Sequence, residues 1–219
     1  MTAERELKDD DAGAGLPLPP GILQDALDVI RRGGVVAIPT ETYYGLAVDP
    51  FNRDAVARLF ALKKRSAAKP LLTLIPGRDH LAMLTAAIPP VYLPLMDFWP
   101  GPLTLVFQAR LTLSPLVTGG TGTVGARISS HPVAQLLVRA LDQPVTATSA
   151  NISGHAAAVT ADEVRVAFGG SIDLVIDGGR TPGGMGSTLV GVRDGRLLLI
   201  RAGVIDFEKI KEKAVQGIV

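Results

Sequence analysis

The sequence predicts an α/β fold built on a mixed β-sheet, and three observations lead there. The short uninterrupted apolar run VVAI at 35–38 has strand length without alternation, as expected of a strand buried on both faces, and further strand-length segments such as 103–107 and 124–128 follow it. Stretches with helical spacing of apolar residues separate these runs. Near the C-terminus Asp194-Gly195 stands between two apolar segments, a type I′ hairpin signal that adds an antiparallel pair to the strand-helix-strand units. With 219 residues and no linker-like stretch, the chain reads as a polar tail over 1–20 followed by one domain over 21–219.

Taken in order, the first element is a helix over 22–32, with Ile22, Leu23, Ala26, Leu27 and Ile30 on one side and Gly33-Gly34 as its stop. A strand over 35–38 ends at Pro39, where the polar loop 39–42 begins. Asn52 or Asp54 then caps a helix that buries Val56, Leu59, Phe60 and Leu62 and runs to Lys63-Lys64-Arg65. Strands follow over 71–75 and 103–107, with helical segments near 81–85 and 91–98 between them and a sharp turn at Pro100-Gly101-Pro102. The next unit is a strand over 124–128, a helix over 131–141 capped by Ser129 or Ser130, and a strand over 145–148. Thr160 to Glu163 forms a capping box for a helix to about Phe168, before a strand over 173–176 and a glycine-rich loop over 178–186. Strands over 187–192 and 196–200 flank the hairpin turn, and a helix over 206–215 closes the chain.

Composition removes several chemistries. Without cysteine there is no thiolate nucleophile, disulfide framework or cysteine-bound zinc. His80, His131 and His155 are scattered without metal-ligand spacing, so no protein-held metal is expected. A net charge of +1 does not indicate a globally basic nucleic-acid surface. No apolar stretch approaches the roughly 20 residues a membrane span needs, and the N-terminus lacks a signal-peptide pattern, so a cytoplasmic protein away from the membrane is expected.

Four polar clusters fall at strand ends, at 40–42, 63–69, 121–127 with 149–153, and 183–188, which points to one cleft. The cations of the second cluster could complement the preceding helix dipole or hold a triphosphate; position alone leaves both open. The run Gly119-Gly120-Thr121-Gly122-Thr123 permits backbone approach to phosphate but lacks a Walker ending. Ser149-Ala150-Asn151 supplies a hydroxyl and an amide without the Gly-x-Ser-x-Gly context, which disfavours a serine hydrolase.

In sequence order, PTETYYGLAVDP (39–50), KKRSAAKPLLTLI (63–75), FWPGPLTLVF (98–107), VGARISSHPVAQLL (124–137), TSANISG (148–154) and STLVGV (187–192) resemble the threonylcarbamoyl-AMP synthase family, also called YrdC-like. The resemblance covers about 22–205 and implies a twisted mixed sheet flanked by helices, with a concave, positively lined cavity. It implies a synthase that condenses ATP, L-threonine and bicarbonate and hands its product to a tRNA threonylcarbamoyl transferase. Mg2+ would accompany ATP, with no permanent cofactor and at most a weak RNA contact. By the same resemblance Lys63, Arg65, Ser149 and Asn151 form the catalytic set, and Lys63, Arg65, Thr123, Ala147, Asn151 and Arg201 bind ATP. Thr40, Thr73, Arg127, Ser149 and Ser187 would hold threonine, with Arg127 a bidentate partner for its carboxylate. Ser66, Thr73 and the segment 156–159 depart from the usual family pattern, and the resemblance is to a single-domain form. Two rival readings stay in play: an RNA-binding module that uses the same cationic concavity without ATP turnover, and a carbamoyl-transfer role of the kind YrdC-like domains have in hydrogenase maturation.

Overall fold

The computed structural model describes residues 18–19 and 21–216. The expected tail therefore lies, Leu18 and Pro19 apart, outside the described residues. Helix α1 (Ile22–Arg31) leads into β1 (Val36–Pro39), which sends Val36 and Ile38 into a smaller core with α1 and α5 (Pro132–Leu141). Val35 and Ala37, just before and within β1, face a larger core with Leu59, Leu105 and Phe107. An apolar run without alternation is what such two-sided burial requires.

The polar loop after β1 closes a hairpin with β2 (Tyr44–Ala47), in register Pro39 to Tyr44 and Val36 to Ala47. Sequence patterning misses β2, because the turn carries no glycine or Asn-Gly pair. Instead, the Thr40 hydroxyl donates to the Tyr43 carbonyl (2.7 Å) and accepts from the Thr42 amide (3.3 Å), so a single side chain closes the loop. Helix α2 (Arg53–Lys63) is capped by Asn52, whose side-chain oxygen accepts from the amides of Asp54 and Ala55.

The next elements are β3 (Leu72–Leu74), α3 (Leu81–Leu84), β4 (Leu103–Gln108), α4 (Pro115–Thr118) and β5 (Thr123–Arg127), followed by α5. The helical segment expected near 91–98 is two 3₁₀ turns, Pro90–Tyr92 and Pro94–Phe98. Pro94 lacks the N–H and the room that a continuous α-helix would need there. The cap of α5 is His131, whose Nδ1 accepts from the Val133 amide (3.3 Å), rather than either serine. Pro132 occupies the first helical position, which fixes the cap one residue before it.

The expected strand over 145–148 is divided between two sheets, as β6 (Val145–Thr146) and β7 (Thr148–Ser149). Thr146 makes the crossing possible: its hydroxyl accepts from the Val48 amide (3.0 Å) and donates to the Leu46 carbonyl (3.1 Å), satisfying the end of β2 from a neighbouring sheet. Helix α6 (Ala161–Phe168) has the predicted cap, with Thr160 accepting from the Glu163 amide (3.2 Å), and β8 (Leu174–Val175) runs parallel to β1. Strands β9 (Thr188–Arg193) and β10 (Arg196–Arg201) form the expected hairpin, with positive φ at both Asp194 and Gly195 as a type I′ turn demands, and α7 (Phe207–Gln216) ends the fold.

Among the described residues ten strands make two mixed sheets, one in the order β7-β2-β1-β8 and the other β10-β9-β4-β5-β3-β6. The mixed α/β architecture is as expected, but in two sheets instead of one. They are joined through Ala147, whose amide donates to the Leu72 carbonyl (2.7 Å) between β6 and β7. Among the described residues no helix is long and apolar enough to cross a membrane.

Candidate functional site

Where the sheets part beside Ala147, a cleft of about 390 Å3 opens. One wall comes from the β1–β2 hairpin and β7, through Thr40, Thr42, Tyr43, Gly45 and Ser149; the other comes from Leu72, Arg127, Ser187, Leu189 and Arg201 of the larger sheet and its approaches. Arg65, past the end of α2, stands at its margin. No carboxylate is found among the described residues that line the cleft, whereas three arginines are.

The charge of Arg201 is felt at both of the other guanidiniums. Burial pulls the pKa of Arg65, Arg127 and Arg201 below the ordinary arginine value; the charge of Arg201 adds to that effect at Arg65, whereas at Arg127 the Glu41 carboxylate opposes it and outweighs the smaller contribution of Arg201. Arginine remains charged under such shifts, so the cleft concentrates positive charge behind low-dielectric walls and favours an anion. Arg65 is steadied by the carbonyl of Pro70 (2.8 Å), and Arg201 by the carbonyl (2.9 Å) and hydroxyl (3.2 Å) of Ser187. The Ser187 hydroxyl in turn pairs with that of Thr104 at 2.7 Å.

The approach of Arg201 to Ser187 depends on Gly203. A Cβ at position 203 would lie 2.3 Å from the Thr188 amide nitrogen and 2.4 Å from the Gly186 carbonyl oxygen, both backbone atoms that cannot rotate away. Gly203→Ala is expected to push this segment off β9, lower the urea midpoint and cut anion binding in the cleft, checked by denaturation and by titration with ATP. A native urea midpoint with native ATP affinity would show that the backbone relaxes around the methyl.

Arg127 ends β5 with its side chain only 6% exposed. Its Nη1 lies 2.7 Å from Oε1 of Glu41 in an ion pair that is close without being aligned as a hydrogen bond. The other Glu41 oxygen accepts from the Ser129 hydroxyl. Arg127 Nη2 reaches the Thr40 hydroxyl only at 3.4 Å. An end-on fork of Nη1 and Nη2 onto a substrate carboxylate would therefore require the Glu41 pair to open, while Nη2 is the less committed donor.

Ser149 and Asn151 sit on a turn held from below. The Ser149 hydroxyl donates to Asn151 Oδ1 (2.7 Å), and Asn151 Nδ2 donates to the His155 carbonyl (2.6 Å). Lys63, only 1% exposed, donates to the Ser149 carbonyl, to the Asn151 carbonyl (2.7 Å) and to Asn151 Oδ1 (3.1 Å). Burial, and secondarily the charge of Arg65, push its amine down to about 7. The three surrounding oxygens favour the ammonium, which alone offers each of them an N–H. Lys63→Met would remove that donor: the Ser149 carbonyl keeps the Asn151 amide and Asn151 Oδ1 keeps the Ser149 hydroxyl, but the Asn151 carbonyl would be left unpaired at a cost of about 1–3 kcal/mol. We expect it to be among the less stable single variants of the site in urea; an unchanged midpoint would remove the structural role.

Residues 28–203 match a family model for Sua5/YciO/YrdC proteins described as "Telomere recombination". The chain belongs to the Sua5/YciO/YrdC family. It is 38% identical over 188 residues to the threonylcarbamoyl-AMP synthase of Pyrococcus abyssi, an alignment covering 85% of this chain and 55% of that protein. It is 39% identical over 184 residues to the synthase of Vibrio cholerae, covering 81% of this chain and 95% of the relative. The crystal structure of P. abyssi Sua5 complexed with L-threonine superposes with a TM-score of 0.84 at 38% identity, over 87% of this chain and 56% of that one. The chain thus spans about half of the Pyrococcus relative and nearly all of the Vibrio one.

Within this Sua5/YciO/YrdC fold, eight of the eleven site positions predicted from sequence line the cleft: Thr40, Arg65, Arg127, Ala147, Ser149, Asn151, Ser187 and Arg201. Three do not. Lys63 lies beneath the Ser149–Asn151 turn; Thr73 is fully buried in β3, its hydroxyl donating to the Gly125 carbonyl (2.9 Å); and Thr123 pairs with the Thr121 hydroxyl (2.8 Å). Sequence reasoning overlooked Thr42, Tyr43 and His155 on the wall and Glu41 behind it. The polar cluster at 40–42 was the available signal for the first and last of these.

Proposed function

We propose that this chain condenses L-threonine, bicarbonate and ATP into threonylcarbamoyl-AMP and pyrophosphate, the donor for threonylcarbamoyladenosine formation in tRNA. The observation that carries the proposal is the cleft with three arginines and no carboxylate on its described walls. Family membership and the naming of relatives such as those of P. abyssi and V. cholerae support it.

In this reading threonine's amine captures bicarbonate as a carbamate with loss of water. A carbamate oxygen then attacks the α-phosphorus of ATP and pyrophosphate leaves. The nucleophile already carries charge, so the protein needs no covalent intermediate. Its work is to position two anions and to stabilise charge on the phosphate oxygens, for which Arg65 and Arg201 are suited. Arg127, with Thr40 beside it and Ser187 lining the same cleft, serves the threonine carboxylate. The turn carrying Ser149 and Asn151, fixed by Lys63, lies beside the reacting centre. Lys63 thus contributes to ATP placement through the turn it holds. A divalent ion, Mg2+ in this proposal, arrives on the triphosphate as part of the substrate, since the described cleft walls offer no carboxylate to ligate it. The product would pass to a tRNA threonylcarbamoyl transferase.

Labelled bicarbonate tests the proposal: with ATP and threonine present, label should enter a nucleotide that yields AMP on hydrolysis. Label that never leaves the bicarbonate pool, alongside salt-sensitive RNA binding, would instead favour the RNA-binding module.

A further inference from the structure

We infer that Glu41 is a positioning residue that clamps Arg127 and reserves it for a carboxylate, keeping phosphate on the Arg65 and Arg201 side of the cleft; this rests on the synthase reading above. Glu41 is not on the cleft wall, and its side chain is only 11% exposed, so it acts through Arg127 instead of on a ligand. Its two oxygens have separate duties. Oε1 faces Arg127 Nη1 at 2.7 Å, and Oε2 accepts from the Ser129 hydroxyl. Ser129 is itself fixed to the start of α5, accepting from the His131 amide (3.2 Å), while its carbonyl accepts from Gln135 Nε2 (2.7 Å). The guanidinium is therefore anchored through Glu41 to a helix outside the cleft.

Two consequences follow. The free rotation of a long arginine side chain is removed, and Nη2 is presented in one orientation beside Thr40. The charge of Arg127 is also compensated, whereas no carboxylate among the described residues lies within ion-pair distance of Arg65 or Arg201. A polyanion is therefore drawn to the uncompensated pair. A single carboxylate can settle on Arg127 for directional hydrogen bonding. Without Glu41, all three guanidiniums would attract phosphate, and the triphosphate would compete for the amino-acid side.

The test uses the full chain, with Glu41→Ala and the more conservative Glu41→Gln. Pyrophosphate release is measured against threonine at saturating Mg-ATP and against Mg-ATP at saturating threonine, each with and without inorganic tripolyphosphate. Loss of the clamp is expected to raise the threonine KM about 10-fold in Glu41→Ala with the ATP KM little changed. Tripolyphosphate should inhibit the native protein competitively with ATP only, and both variants competitively with threonine as well. A folded Glu41→Ala protein with native threonine KM, or equal rises in both KM values, would overturn the inference. Should Glu41→Ala fail to fold, the tripolyphosphate pattern of Glu41→Gln decides alone, and a native pattern there counts against the inference. If native protein releases no threonine-dependent pyrophosphate, the synthase reading falls. Calorimetric titration of tripolyphosphate then still judges Glu41, since Glu41→Gln should bind it more tightly than native protein and equal affinity would refute the clamp.

Discussion

Replacing Arg65 by alanine is expected to slow pyrophosphate release by about 100-fold or more, the usual cost of deleting one charge contact that strengthens in the transition state. Arg65 meets the conditions for that role. It lines the cleft at the end of α2, has no ion-pair partner among the described residues, and is oriented by the Pro70 carbonyl. Its hydrogen bonds go to backbone oxygens at a half-buried position, so the melting temperature should change little. Arg65→Lys should recover part of the rate, because a point charge remains but the planar fork is lost. Steady-state kinetics at saturating threonine checks this, and full activity in Arg65→Ala would show that the guanidinium does not meet the triphosphate.

Arg127→Ala should behave differently. Its main kinetic defect is expected on threonine, with a KM raised about 30-fold or more, the lower range for truncating one partner of a buried charged hydrogen bond. It should also be unstable, because Glu41 would keep its buried carboxylate after losing its cation. Breaking such a pair by removing one member costs about 3–5 kcal/mol. Urea denaturation measures the second effect separately from the first. The contrast with Arg65→Ala is the informative part: one variant is stable and slow at saturating substrate, the other unstable and weak for threonine. An unchanged threonine dependence in folded Arg127→Ala would remove its assignment to the carboxylate.

Much of the fold was legible in the sequence because its signals are local. The VVAI run of β1, the Thr160 cap of α6 and the Asp194-Gly195 turn each follow from a few adjacent residues, and each is found in place. The losses are non-local. Strand β2 is only YGLA, and its hairpin is closed by the Thr40 hydroxyl, bonded to the Tyr43 carbonyl and the Thr42 amide, which no glycine announces. The split between β6 and β7 depends on Thr146 reaching the backbone of Leu46 and Val48, far away in the chain.

The site follows the same division. Arginines and small polar residues at strand ends marked the cleft, but sequence cannot say on which side of a turn a lysine lies. Lys63 and Arg65 are two residues apart, yet one is buried under the Ser149–Asn151 turn and the other stands at the open margin. Glu41 was hidden among threonines because its partner Arg127 is supplied by a distant strand of the other sheet.

The central claim, that this cleft joins threonine, bicarbonate and ATP, is tested most directly by pyrophosphate release from Mg-ATP with threonine and bicarbonate supplied singly and together, and the nucleotide product identified by mass. Release is expected only when both are present, with threonylcarbamoyl-AMP as the product. Release indifferent to either, or none from folded protein with both, would contradict it.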